Sequence, residues 1–463
     1  MAGKSFIDRV GYATMSYSVL EALRNNPDAV RKVLVARRMD PSLVEKFLGL
    51  DERWRQLKKE VDELRHEYNK LSREGARAPP ERRRELAERA KELAARLEKV
   101  EKELEDVEKA REEVLWSFPN LIHESVPTCP EGVDSVPVRY WGVVKVANNA
   151  AELPRGVDYV VVERPPVGHA DMAEMVLKMA DTLKAGEVAG SRFYYLFDDL
   201  VWLDFALAMY AMDYLTQRGF RPVIPPYMLK FDVIRRVLDF DTFKDAIYKI
   251  DGEDLYLIAT AEHGIAAYLY KRELVEEELP QLYVGWSPCF RKEAGAGNRD
   301  LKGIFRVHIF HKVEQFVFSL PEESWKWHEE ITKNTEELIR GLGLPYRVVN
   351  ICAHDLGAPA AKKYDIEVWY PAQGMYRELA SCSNVTDWQS YRLGIRVTRK
   401  GMKREFVHTL NCTGLATTRT ITAILENFQR EDGAVEIPKA LRPYLEPIKA
   451  APKDSILPRG VKR

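Results

Sequence analysis

Two runs of apolar side chains constrain the first third of this chain more than any other feature. Phe47, Leu50, Trp54, Leu57, Val61, Leu64, Tyr68 and Leu71 recur at alternating spacings of three and four residues. Leu86, Ala90, Leu93, Leu97, Val100, Leu104 and Val107 do the same. Such a rhythm averages 3.5 residues and lays a one-sided seam along a helix. Gly49 lies inside the first run and leaves its start open. Between residues 51 and 118 only Gly75, Pro79 and Pro80 interrupt helix-compatible sequence. The expected structure is an antiparallel coiled-coil hairpin over about residues 41–118, turning in the stretch Ser72–Pro80. At ~1.5 Å per residue, each arm should be about 45 Å long.

Most coiled coils are spacers or dimerisation rods, and charge runs are usually solvated faces. Here the charge is polarised. Residues 65–91, at the tip, carry a net +4, and residues 92–113, near the base, a net −4. A basic tip on an acidic base fits a finger that touches phosphates at a distance, with Arg73, Arg77, Arg82, Arg83 and Arg84 as the candidate contacts. The whole chain is balanced, with 70 Lys+Arg against 71 Asp+Glu. Bulk polyanion binding is thereby excluded, and any nucleic-acid contact must be local.

Upstream, Leu20, Leu23, Val30, Val33 and Leu34, with Pro27 at a helix start, suggest a small helical cap over residues 1–40. Pro119 and the stretch Pro127–Pro130 mark a linker. The expected division is an N-terminal domain over 1–125 and a second domain over 126–463. No secretory pattern and no apolar run near the ~20 residues of a membrane span is present, so a soluble, cytoplasmic protein without membrane contact is expected. The five cysteines are odd in number and dispersed, which does not suggest a disulfide framework, and no CxxC pair supports a structural zinc.

In the second domain, helical stretches (172–183, 203–217, 322–342) mix with strand-like runs at 159–162, 256–258, 305–318, 364–370 and 406–410. The order is not a βαβ repeat, and neither a P-loop nor a GxGxxG loop is present. An α+β domain built on an antiparallel sheet flanked by helices is expected. Within 305–318 a period of two places Arg306, Phe310 and Glu314 on one face, and it likewise pairs Arg291 with Glu293. One hairpin, linked by a loop holding Gly295, Gly297 and Gly303, would thus present two arginines, an aromatic plate and two carboxylates. That set suits a nucleotide site beside an amine site: guanidinium for phosphate, ring for base, carboxylate for ammonium. A surface salt-bridge ladder would explain the charges but not the glycine loop. Arg419 lies off the apolar stripe in the first turns of a helix after Gly414, where a cation is unfavourable unless it meets an anion.

These residues carry a resemblance. Phe290-Arg-x-Glu293, the helix leading to Pro226, and Gly414–Arg419 resemble motifs 2, 1 and 3 of class II aminoacyl-tRNA synthetases. Thr260-Ala261-Glu262, His308-x-Phe310-x-Lys-Val-Glu314, Glu378-Leu-Ala-Ser-Cys-Ser-Asn384 and Thr409–Thr420 are similar to the seryl-tRNA synthetase family, in a version closer to its archaeal and eukaryotic branch. The hairpin resembles that family's tRNA-binding arm. The resemblance implies ATP-dependent formation of seryl-adenylate, then transfer to the 3′ end of tRNA(Ser), with release of AMP and diphosphate. The selenocysteine tRNA is a second candidate partner, and a homodimer is implied.

Carried over by position, Thr260, Ala261, Glu262, Arg291, Glu314, Asn411 and Thr413 would bind serine. Arg291, Lys292, Glu293, Arg306, Val307, Phe310, Glu378, Leu379, Ala380, Ser381 and Arg419 would bind ATP. Arg291 and Arg419 would be catalytic, and Glu378 and Ser381 would hold Mg²⁺ on the phosphates. An i, i+3 pair cannot share a strand face, so a bulge or strand end is expected there. Cys412 and Thr418 depart from the small residues common in the family and leave the pocket's shape open. A non-catalytic paralogue would lack Arg291, Glu314 or Arg419, and all three are present. A class II relative for another amino acid is disfavoured by Thr260-Ala261-Glu262 and by the arm. The rare zinc-dependent variety of the enzyme is disfavoured by the scattered cysteines.

Overall fold

The computed structural model describes residues 17–150, 152–293, 300–401 and 404–460. They form two compact units, Ser18–Leu121 and the chain from Ile122 onward together with Tyr17.

The first unit begins with α1 (Ser18–Asn25) and α2 (Pro27–Ala36). Asn26 caps α2 by accepting the Ala29 N–H, and Pro27 takes the first helical position. Residues 1–16 of the expected cap lie outside the described residues. The hairpin is α3 (Leu43–Arg77) and α4 (Pro80–Trp116). Its turn is shorter than expected: α3 runs straight through Gly75, and Pro80 starts α4, which leaves only Ala78 and Pro79 between them. Leu57, Val61, Leu64 and Val100 form the buried seam, with Leu93, Leu97, Leu104 and Val107 packed on it. Ion pairs Arg53–Glu103 and Arg96–Glu60 cross between the helices. At the base the sequence reading is corrected. Asp51, not Leu50, is the fully buried residue. It holds Arg24 at 2.8 Å and Arg111 at 2.7 Å. Burial opposes its charge, but the hydrogen bonds of those two arginines overcome it and keep the carboxyl below its usual range.

The second unit is built on an eight-stranded sheet. In chain order its strands are β1 (Ser135–Trp141), β2 (Arg221–Val223), β3 (Gln281–Phe290), β4 (Ile309–Ser319), β5 (Tyr346–Ile351), β6 (Lys362–Tyr370), β7 (Met375–Thr386) and β8 (His408–Ala416). The order across the sheet is β1-β5-β6-β7-β8-β4-β3-β2. Every pairing is antiparallel except β3 with β2. The helices that matter for the site are α5 (Asp199–Thr216), α6 (Phe231–Val237), α7 (Ala261–Tyr268), α8 (Ser324–Gly341), α9 (Trp388–Leu393) and α10 (Thr417–Asn427). A large apolar core joins α5, α8 and α10 to the sheet. A second core gathers Ile234, Ile258, Ile265, Phe316 and Phe318 around α6 and α7.

Several element boundaries differ from the sequence reading. Met172–Leu183 is not one helix. A π-turn over Met172–Val176 gives way to a short strand, Ala180–Asp181, which pairs with Tyr195–Leu196. The strand expected from Phe305 starts only at Ile309. The strand expected to stop at Leu410 continues to Ala416, paired on both sides by β4 and β7. The cysteines are also corrected. Cys129 pairs with Cys352, and Cys382 with Cys412, as disulfides, while Cys289 is buried and free. Cys382 and Cys412 are direct partners across β7 and β8, a juxtaposition invisible in their sequence spacing.

Candidate active site

The face of the sheet between α6 and α10 is the floor of a cavity of about 470 Å³. Helices α6 and α7 and the segment Gly357–Ala360 wall it in. The volume suits a small ligand. Alternation along each strand decides what faces it: Phe310, Lys312 and Glu314 from β4, Asn411 and Thr413 from β8, Ser381 and Ser383 from β7, and Lys363 from β6. Helix α7 approaches closely because Gly285 of β3 lies beneath it; a Cβ there would come within 2.7 Å of Ile265. Thr260 caps α7 by accepting the Glu262 N–H, and so sets Thr260 and Glu262 at the cavity edge.

At one end Glu314, 1% exposed, is contacted by Lys312, by Thr260 Oγ1 at 3.5 Å and by Thr413 Oγ1 at 3.4 Å. Glu262 lies nearby. Burial raises its carboxyl to about 7; the Glu314 charge adds to the rise, and Lys312, Gln389 and Arg291 oppose it. His263 beside it is held down to about 3, chiefly by burial and then by Lys312 and Arg291, and stays neutral. This end therefore offers two carboxylates and two hydroxyls to a small group bearing an ammonium and a hydroxyl.

The other end is cationic. Arg291 follows β3, its guanidinium 5.2 Å from the centre of the Phe310 ring and its Nε donating to the Ala259 carbonyl at 3.4 Å. Arg419, in the first turn of α10, donates to the Glu378 carbonyl at 3.0 Å and meets its carboxylate at 3.3 Å. Burial would raise the Glu378 carboxyl, but Arg419, Lys363 and Arg291 together hold it below the usual range. The expected bulge is present. The register with β6 shifts between Glu378 and Ala380, so Leu379 is the extra residue and Glu378 and Ser381 both reach the cavity.

Of the residues expected at the site, Thr260, Glu262, Arg291, Glu293, Phe310, Glu314, Glu378, Leu379, Ser381, Asn411, Thr413 and Arg419 line this one cavity. The others lie elsewhere. Ala261, Val307 and Ala380 are buried in the apolar cores. Lys292 leans over the Tyr248 ring. Arg306 lies in the bend before β4 rather than on its face, and is folded back onto Glu293 at 3.1 Å and Asp300 at 3.6 Å. Glu293 shares no strand face with Arg291, because β3 has ended and Glu293 has φ +53°. Gly295 and Gly297 lie outside the described residues. Gly303 has φ +78°, and a Cβ there would meet Ala170 at 2.9 Å, so the loop end needs glycine.

Sequence reasoning missed Lys312, His263, Lys363 and Arg377. Lys312 falls between Phe310 and Glu314 on the same face of β4, where a lysine alone signals no particular task. Arg377 and Arg419 both flank the Phe305 ring, at 4.0 and 5.0 Å, and Arg377 pairs with Asp300 at 2.7 Å. Asp365 of β6 lies directly opposite Ser381 in register, and its Oδ1 has no partner. Glu378, Ser381 and Asp365 are hard oxygen donors of the kind Mg²⁺ accepts when phosphates and waters complete its shell. Among the described residues, no group of three or more His, Cys, Asp or Glu could hold a metal ion by itself. In the first unit Arg73, Arg77, Arg82, Arg83 and Arg84 are all exposed around the hairpin turn, and Arg83 also donates to the Ala78 carbonyl at 3.2 Å.

An antiparallel sheet with arginines after β3 and at the start of α10 defines the class. The family described as tRNA synthetase class II core domain (G, H, P, S and T) matches residues 243–428. The Seryl-tRNA synthetase N-terminal domain family matches residues 20–122. The chain is 90% identical to the serine–tRNA ligase of Pyrobaculum aerophilum over 449 residues, 97% of this chain and 100% of that one. It is similar to seryl-tRNA synthetase from Pyrococcus horikoshii complexed with ATP, at 46% identity and a TM-score of 0.88, covering 96% and 99% of the two chains. It is also similar to the cytoplasmic enzyme of Naegleria fowleri in complex with AMP, at 35% identity and a TM-score of 0.80, covering 94% and 96%. The chain belongs to the serine–tRNA ligase family.

Proposed function

We propose that this chain joins L-serine to tRNA(Ser) in two steps within the cavity described above. The serine carboxylate attacks the α-phosphorus of ATP, giving seryl-adenylate and diphosphate. A hydroxyl of the tRNA's 3′-terminal ribose then attacks the seryl carbonyl, and AMP leaves. The observation that carries this reading is one sheet floor joining a carboxylate-lined end to an arginine-lined end, with Phe310 and Arg291 beside them.

Glu262 and Glu314 hold the serine ammonium and hydroxyl, with Thr260, Thr413 and Asn411 completing the pocket. Arg291 holds the α-phosphate and the attacking carboxylate, Phe310 stacks on adenine, and Glu293 contacts its edge. Arg419 takes the outer phosphates, with Arg306 and Arg377 beside it. Glu378 and Ser381 hold Mg²⁺, which when bound neutralises phosphate charge. Catalysis is orientation and charge stabilisation, without a covalent enzyme intermediate. The hairpin tip takes the tRNA. A homodimer, a cytoplasmic location and service to the selenocysteine tRNA complete the reading. No helix among the described residues is long and apolar enough to cross a membrane.

The test is ATP–pyrophosphate exchange with serine, threonine and alanine side by side. Serine is expected to exceed alanine by about 10⁴ in kcat/KM, because alanine leaves buried hydroxyl partners unmet, and threonine is excluded only by lack of room. Equal rates would overturn the assignment. A pH dependence follows from Glu262. Its carboxyl titrates near 7, so the ammonium-binding carboxylate is present above that pH and lost below it. The kcat/KM for serine should rise with pH through a midpoint near 7, and Glu262→Gln should flatten that rise between pH 5.5 and 8.5.

A further inference from the structure

Gln389 of α9 lies behind the cavity and has no part in the chemistry described above. It is fully buried. Its Nε2 donates to Glu262 Oε1 at 2.8 Å and to the Val237 carbonyl at 2.9 Å, while its Oε1 accepts from Thr409 Oγ1 at 2.8 Å. The Val237 oxygen can only accept, and the Thr409 hydroxyl has a proton to give. The two together fix which end of the amide faces Glu262. One Glu262 oxygen is thereby tied from behind. Val237 closes α6, and with Leu238, Asp239 and Phe243 it walls the cavity. One side chain thus joins the carboxylate, the pocket wall and strand β8, which carries Asn411 and Thr413.

We propose that Gln389 is a positioning residue for amino-acid binding: it grips one oxygen of Glu262 so that the other is presented to serine, and it locks that carboxylate to the pocket wall. This rests on the reading of Glu262 as a serine contact. The amide N–H also favours the charged form of Glu262, in surroundings that include Glu314, Lys312, Arg291, His263 and Asp239. A glutamine that merely satisfied buried polar groups would affect folding alone.

Gln389→Met keeps length and bulk but removes both N–H donors. In pyrophosphate exchange by the full-length protein, serine KM should rise at least about tenfold, the loss expected for a hydrogen bond to a charged group. ATP KM should stay within about twofold, and the acid limb for serine should move to higher pH. Gln389→Glu, which sets an acceptor against two acceptors, should raise serine KM further. A serine KM and acid limb unchanged in Gln389→Met would overturn the proposal, as would equal rises in the KM of serine and ATP. If that variant does not fold, Thr409→Val takes its place, because it removes one of the two groups that orient the amide and leaves its buried oxygen without a donor. The same rise in serine KM is then expected, and an unchanged value would overturn the proposal in the same way. Glu262→Gln separates the two claims. If it leaves serine KM unchanged, the Glu262 reading falls and takes this proposal with it. If it raises serine KM while Gln389→Met does not, the role of Gln389 alone is wrong.

Discussion

Arg291→Ala is expected to abolish serine-dependent ATP–pyrophosphate exchange, with a loss of about a thousandfold or more in kcat/KM. The α-phosphorus gains negative charge on its oxygens as the serine carboxylate attacks, and the attacking group is itself an anion. A guanidinium in a walled cavity meets both with fixed donors and needs no reorganisation. The backbone just past β3 and the Ala259 carbonyl hold Arg291 in place, with the Phe310 ring alongside. The neighbouring cation Arg419 is engaged with Glu378 and starts from a different element, so it cannot swing into the vacancy. Arg291→Lys should recover little, because a point charge does not reproduce the fork. The fold should survive both changes, since the residue lies on the cavity wall rather than in either apolar core. Near-normal exchange by a folded Arg291→Ala protein would remove this residue from the chemistry.

How far the sequence reaches depends on whether a feature is periodic or tertiary. The hairpin was legible because a 3.5-residue rhythm is written into every turn of its helices. Asp51 was not, because a buried acid in the seam makes sense only once Arg24 and Arg111 arrive beside it from elsewhere in the chain. Strand alternation predicted correctly that Phe310 and Glu314 share a face. It failed for Arg306, where a bend replaces the strand and ion pairs with Glu293 and Asp300 hold the side chain. The bulge at Leu379 was legible by a different route: Glu378 and Ser381 could act together only if one residue were extra between them. Lys363 and Arg377 sit in β6 and β7, and their place beside the site exists only in the assembled sheet. Gln389, an uncharged residue on a short helix, gave no signal at all.

Shortening the arm should separate the two halves of the reaction. Glu60 and Arg96 already touch across the hairpin at 2.8 Å, so a short Gly–Ser turn can join them in place of residues 61–95 without disturbing the pairing below. The excision removes the turn with Arg73, Arg77, Arg82, Arg83 and Arg84 and leaves the buried Asp51 cluster at the base intact. Every residue lining the cavity comes from positions 237–419, in the other compact unit. Exchange should therefore stay within about twofold of the full-length protein, while tRNA charging falls by about a hundredfold or more. That loss follows if the tip supplies several phosphate contacts, since each one lost also removes a counterion-release contribution to affinity. Replacing the five arginines by glutamine in the full-length arm should act in the same direction. It should raise the KM for tRNA and flatten its dependence on salt while kcat for exchange holds. A rod that served only as a spacer or a dimer contact would behave otherwise: the five-arginine variant would charge normally, and the shortened protein would change its oligomeric mass. Measuring exchange, charging against salt and solution mass on the same three proteins decides between a finger and a strut. Equal loss of exchange and charging on excision would show that the arm supports the catalytic unit rather than reading RNA for it.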